Sequence, residues 1–168
     1  PVFYKAAVDG LTGEGGDNAA WMLAVGAIGL TVAYGMARFF SVGFQQLRDA
    51  GADVVTLGDH AFDQKEMLSY CEGETRIIRP LNFAKDAPGR GARVFEDHRG
   101  RRVLVAQVLG NVFMKRAFED PFGHIERALK PFNLGGAVQA TLVDVHCEAT
   151  SEKMAMGHFL DGRASIVV

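Results

Sequence analysis

The chain has 168 residues, a net charge of −2 at neutral pH and 48 % hydrophobic residues, the size and make-up of one globular domain with a buried core. This near-neutral balance excludes a basic field for bulk nucleic-acid binding, so an anionic ligand has to be held by local groups or by metal. Two cysteines, Cys71 and Cys147, are too few for a disulfide framework and point to a reducing, cytoplasmic compartment. No basic leader precedes an apolar stretch, so a secretory signal is not expected.

Residues 1–18 are Gly-rich, and LTGEGGDN reads as loop. Ala19–Ala37 then runs without a formal charge. It is long enough for a membrane span, and Arg38 behind it would keep the remaining chain on the cytoplasmic side. It reads equally as a buried segment whose glycines at 26, 29 and 35 allow turns or close packing. The expected organisation is therefore an N-terminal segment, residues 1–41, followed by an α/β domain over residues 42–168.

From Val42 the pattern is regular. Phe44, Leu47 and Ala50 suit a short helix ending at Gly51, and Asp53–Leu57 is an apolar strand. Gln64–Cys71 suits a helix with Met67, Leu68 and Cys71 on one face. Arg76–Gly91, with Pro80 and Pro88, reads as irregular. Arg102–Leu109 (RVLVAQVL) is a strand. Phe122, Ile125, Leu129 and Phe132 recur at helical spacing over Pro121–Phe132, and Asp120 before Pro121 is a start signal. Thr141–Val145 and Ala164–Val168 are further strands. Strands alternating with helices predict an α/β sheet.

Two of these strands end in chemistry. Asp53–Leu57 runs into Gly58-Asp59-His60, and Thr141–Val145 runs into His146, followed by Glu148, Thr150, Ser151, Glu152 and Lys153. Imidazoles and carboxylates at strand ends are placed as α/β enzymes place theirs, at the carboxyl edge of a sheet, and suggest one shared site. Arg79, Asn82, Arg90 and Arg93 surround the PGRG loop, where guanidinium forks suit phosphate. Cys147 reads as packing, and His98, His124 and His158 as surface or structural groups.

At these residues the sequence resembles a known family. GADVVTLGDHAFDQ, RPLNFAKDAPGRG and DVHCEATSEKMAMGHFLDGRASIVV resemble the bacterial YmdB-like metallophosphoesterases, calcineurin-like phosphodiesterases associated with 2′,3′-cyclic nucleotides, from about residue 43 to 168. The resemblance implies an α/β/β/α sandwich, here incomplete. It also implies a divalent metal, Mn or Fe, in a dinuclear centre, and a small phosphodiester or cyclic nucleotide as substrate.

Its site residues carry over one by one. Asp59 stands where the family has the asparagine of Gly-Asn-His, and as a carboxylate it can still ligate metal. His60 matches the general acid near the leaving group, a role that suits an imidazole. His146, in Asp144-Val145-His146-Cys147-Glu148, matches a metal ligand. Asp17, beside Asn18, falls where a bridging glutamate is expected, and Asp9 where the first strand ends in an aspartate. Arg90, Asn82, Thr150 and Ser151 are expected on the substrate side of the site. Gly16–Ala20 and Gly29-Leu30-Thr31 resemble an altered form of a family loop, a third reading of the apolar run. The family continues its last strand into Gly-Thr-His-Thr-His, so two further histidine ligands are expected beyond Val168.

The sequence therefore predicts a metal-dependent phosphodiesterase or a fragment of one, working as a homo-oligomer or as a subunit of a larger complex. The alternative is a catalytically inactive derivative retained as a structural or assembly subunit, membrane-anchored if residues 19–37 span a bilayer. A third reading is a metal-free small-molecule binding module built on the PGRG and EATSEK segments.

Overall fold

The computed structural model describes residues 43–168. Asp9, Asp17 and the apolar run Ala19–Ala37 lie outside the described residues. The chain divides after Gly51. Before that point residues 43–49 are helical, with Gln45 Nε2 donating to Asp49 Oδ1 at 2.9 Å.

The second unit, Ala52–Val168, carries the α/β fold. In chain order its elements are β1 (Val55–Thr56), α1 (Glu66–Gly73), β2 (Ile77–Ile78), β3 (Ala92–Glu96), β4 (Arg102–Leu109), α2 (Pro121–Leu129), β5 (Ala140–His146), α3 (Thr150–Phe159) and β6 (Ile166–Val167). β1 and β2 form a short parallel pair, Val55 opposite Ile77 and Thr56 opposite Ile78. The larger sheet has the order β3-β4-β5-β6, antiparallel between β3 and β4 and parallel thereafter. The parallel steps require crossovers, and α2 and α3 provide them.

One face of this sheet is the core. Leu104, Ala106 and Val108 of β4 and Val143 and Val145 of β5 pack against Ile125 and Leu129 of α2 and against Met156 and Leu160 at α3. These strand residues are two apart, as one face of a pleated strand demands. α2 begins as its sequence predicts: Asp120 accepts hydrogen bonds from Phe122 N and Gly123 N, and Pro121 occupies the first turn.

Other segments differ from the expectation. β3 lies in a stretch with weak alternation and exists because the next turn folds it onto β4. Asp97 builds that turn, accepting from Arg99 N at 2.8 Å and from Arg101 N at 2.9 Å. Arg76–Gly91 contains β2, which two hydrogen bonds tie to β1, from Val55 N to Arg76 O and from Leu57 N to Ile78 O. Leu68 is 40 % exposed, while Met67 and Cys71 are buried. The polar EATSEK stretch is largely the first turn of α3 rather than a loop. Among the described residues no helix is long and apolar enough to cross a membrane.

Arg101 also pairs with Asp97 through Nη2 at 2.6 Å. Hydrogen bonds from the Arg101 backbone and side chain hold the Asp97 carboxyl down at about 2, against an ordinary 3.8. The folded value is depressed, so this contribution to stability is complete above the unfolded value and is lost as pH falls through about 2. Asp97→Asn should lower the denaturation midpoint at pH 7 and flatten its decline between about pH 4 and 2. Thermal melts across that range check both effects.

Candidate active site

The site begins with a buried carboxamide. Gln107 is the one polar residue among the six at the end of β4, Leu104–Leu109, and is 1 % exposed. Its Oε1 accepts from Leu57 N at 3.2 Å and Gly58 N at 3.0 Å, and its Nε2 donates to Asp144 Oδ2 at 2.7 Å. This fastens the end of β1 to β4 and β5. Gly58 then turns the chain with φ 72°, and its α-carbon lies against the His146 ring. A Cβ there would meet His146 Cε1 at 3.2 Å, so glycine is needed for conformation and for space.

The next two residues, Asp59 and His60, reach His146 at the end of β5. Asp59 Oδ1 is 3.1 Å from His146 Nε2 and 3.7 Å from His60 Nε2. The two strand ends singled out by sequence thus meet at one sheet edge. The Asp59 side chain is 24 % exposed, His146 43 % and His60 71 %, so the cluster opens to solvent.

Asp63, which sequence reading did not single out, completes it. Its Oδ2 lies 2.6 Å from His60 Nδ1, and its Oδ1 3.5 Å from Arg116 Nη2. The hydrogen bond to His60 holds the Asp63 carboxyl below its ordinary value, and the same bond, with the charge of Asp59, raises the His60 pKa above 6.5. An ionised Asp63 accepts only, so His60 carries its proton on Nδ1 and turns Nε2 toward Asp59.

Three further devices hold the surrounding loops. Phe62, Phe83 and Phe118 form an edge-to-face ladder with centroid spacings of 5.2 and 5.4 Å. Asn82, fully buried, donates to Leu109 O and Glu119 O and accepts from Leu109 N. Its amide is therefore engaged by backbone. Glu152 accepts from Asn111 N at 2.8 Å and Val112 N at 3.2 Å.

Thr150 and Ser151 are exposed in the first turn of α3. Arg90 lines a different cavity of about 260 Å³ with Cys71, Glu74 and Arg93. The Arg79 guanidinium donates to Pro80 O, Ala87 O and Pro88 O and braces that loop. Burial pushes the Cys147 thiol up to about 11, which keeps it protonated and inert at neutral pH.

With this geometry in place, comparisons with known proteins are decisive. The model of the YmdB-like protein family matches residues 33–168. The chain belongs to that family. It is 33 % identical over 125 residues to a 2′,3′-cyclic-nucleotide 2′-phosphodiesterase of Bacillus subtilis, covering 74 % of this chain and 46 % of that protein. A hypothetical protein from Thermus thermophilus superposes with a TM-score of 0.66 at 44 % identity, over 74 % of this chain and 46 % of that one. A Mycoplasma pneumoniae protein described as a novel phosphatase gives 0.61 at 27 % identity, over 72 % and 43 %. This YmdB-like chain thus spans less than half the length of the curated relatives it matches.

The family implies a divalent metal, and the donor set can be tested against one. Two ligands about 2.1 Å from a shared ion stand about 3 Å apart along one edge of an octahedral shell. Asp59 Oδ1 and His146 Nε2, an oxygen and an imidazole nitrogen at 3.1 Å, fit that edge. Two donors are not a shell: no group of three or more His, Cys, Asp or Glu among the described residues is arranged to hold a metal ion.

Two measurements probe this assembly. Gln107→Leu leaves Gly58 N without its acceptor and Leu57 N with Ile78 O alone, and should cost about 2 kcal/mol in denaturant unfolding. Asp63→Asn should lower the His60 pKa toward its ordinary value, as read by NMR titration of metal-free protein. The folded His60 value is raised, so the pair's contribution is complete below about 6.5 and is lost as pH rises through the folded value. The Asp63→Asn variant should lose that pH dependence.

Proposed function

We propose that this chain carries half of the catalytic centre of a metal-dependent phosphodiesterase acting on small or cyclic phosphodiesters. The observation that carries the reading is the meeting of Asp59 and His146 at a ligand-to-ligand distance, with His60 beside them. The names of the relatives, a cyclic-nucleotide phosphodiesterase and a phosphatase, support the reaction class.

Asp59 and His146 would hold the ion. A divalent cation bound there supplies neutralisation of the phosphoryl oxygens and a water of lowered pKa. His60 is the proton donor. Its Nδ1–H is fixed on Asp63, so a protonated ring presents its Nε2–H to the oxygen that leaves phosphorus. In the overall reaction a water gives one proton to solvent as its O–P bond forms, the ester O–P bond breaks, and the leaving alkoxide takes the His60 proton.

His146→Ala should abolish Mn²⁺ binding at this position by calorimetry and, where the other half of the centre is supplied, reduce hydrolysis of 2′,3′-cyclic AMP by several orders of magnitude, since several kcal/mol of transition-state stabilisation are at stake. His60→Ala should retain Mn²⁺ binding and lose turnover. Unchanged Mn²⁺ affinity in His146→Ala refutes the ligand assignment. A wild-type protein that neither binds Mn²⁺ nor hydrolyses the substrate would instead be the structural subunit.

A further inference from the structure

The loop after β4, residues 110–119, contains the backbone outlier of the described region. Phe113 has φ 65°, while every other positive φ among the described residues belongs to glycine. A bulky residue in that conformation is strained, and such strain persists only where surrounding structure over-determines it. Phe113 is also 85 % exposed. A large apolar ring held in strain and in water gains nothing for the fold.

The loop that presents this ring is anchored at both ends. Its start is tied by Gly110 N to His146 O at 3.0 Å and by the buried Glu152 carboxylate to Asn111 N and Val112 N. Gly110 admits that carboxylate, since a Cβ there would overlap Glu152 Oε2. The end is tied by Asn82 to the Glu119 backbone. Asn111 Oδ1 accepts from Phe118 N at 2.7 Å and closes the loop on itself. The same loop carries Lys115 and Arg116. Arg116 meets Asp63 at 3.5 Å, and the charge of Lys115 acts on both His60 and Asp63. One loop thus carries a cation that meets Asp63, a second whose charge is felt at His60, and an exposed aromatic ring two residues before it.

From this juxtaposition we infer that residues 110–119 form the recognition arm for a nucleobase-bearing phosphate, with Phe113 as its stacking platform and Lys115 facing the phosphate. A cation beside an aromatic plane matches a nucleotide, an anion joined to a flat π-system, and base stacking is tolerant of base identity. The inference rests on the phosphodiesterase reading for the location of the phosphate. It goes beyond that reading in assigning what holds the organic part of the substrate.

The test is calorimetric titration of the wild-type protein, Phe113→Ala and Phe113→Trp with 5′-AMP and with ribose 5-phosphate, in the presence of Mn²⁺. The readout is the ratio of the two affinities. Wild type should prefer AMP by about ten-fold or more, the usual value of one stacked base. Phe113→Ala should bring the ratio close to one, and Phe113→Trp should restore it. Equal affinities in wild type, or a ratio unmoved in Phe113→Ala, overturn the assignment, as expected if the ring instead packs against protein. An intact ratio in a protein that fails to hydrolyse 2′,3′-cyclic AMP counts against the phosphodiesterase reading alone.

Discussion

The placement of the end of β1 against β4 and β5 depends on the Gln107 carboxamide. β1 and β2 are two residues each and pair through few hydrogen bonds, too few to hold a register alone. Gln107 replaces the missing ladder. Its backbone accepts from Leu81 N and donates to Gly91 O, while its side chain takes Leu57 N and Gly58 N and gives to Asp144. Five contacts from one residue fix where Asp59 leaves β1 relative to where His146 leaves β5. A leucine would fill similar volume, but it would strand the Gly58 amide in a low-dielectric interior, where an unpaired group is expensive, and leave Leu57 N to Ile78 O alone.

The same economy recurs around the site. Asn82, Glu152 and Arg79 direct their side chains to backbone rather than to one another. Asn82 joins the end of β4 to the start of α2, Glu152 joins α3 to the loop after β4, and Arg79 gathers three carbonyls of the 80–88 segment. Each satisfies groups that a loop cannot satisfy by secondary structure, so irregular backbone can approach the sheet edge without an unpaired cost. The aromatic ladder Phe62–Phe83–Phe118 adds directional packing between three of these loops.

This division of labour explains what could be read from sequence. β4 and α2 were legible because their apolar periodicity is long and, for α2, capped by Asp120 and Pro121. Asp59 and His146 were legible because each follows an apolar strand. α3 was obscured because its N-cap, Ala149, offers no side-chain cap and its first turn carries the polar residues expected at a site. β3 depends on a turn built by Asp97, not on its own pattern. Gln107 left a signal, one amide inside the apolar run RVLVAQVL, but its partners lie 50 and 37 residues away. Asp63 and Arg116 are separated by 53 residues and gave no pattern at all. Asn82 and Glu152 look like site residues by type, and only their backbone partners reveal them as fasteners.

The links from α3 to His60 are unequal, and the inequality has a mechanical consequence. Glu152 is buried and takes two successive backbone amides, one of them at 2.8 Å, so the root of the 110–119 loop is firm. His60 and Asp63 stand at 2.6 Å, a charge-assisted contact within one turn of chain. Between them the bridge is Arg116 to Asp63, at 3.5 Å with both side chains solvent-exposed, where an ion pair contributes little. The weakest joint therefore lies between the loop tip and the imidazole. Movement of residues 113–116 against a ligand would strain neither the loop root nor the His60–Asp63 pair. The architecture separates a weakly joined loop tip from a firmly held imidazole, with the buried Glu152 on one side and the Gln107 clamp on the other.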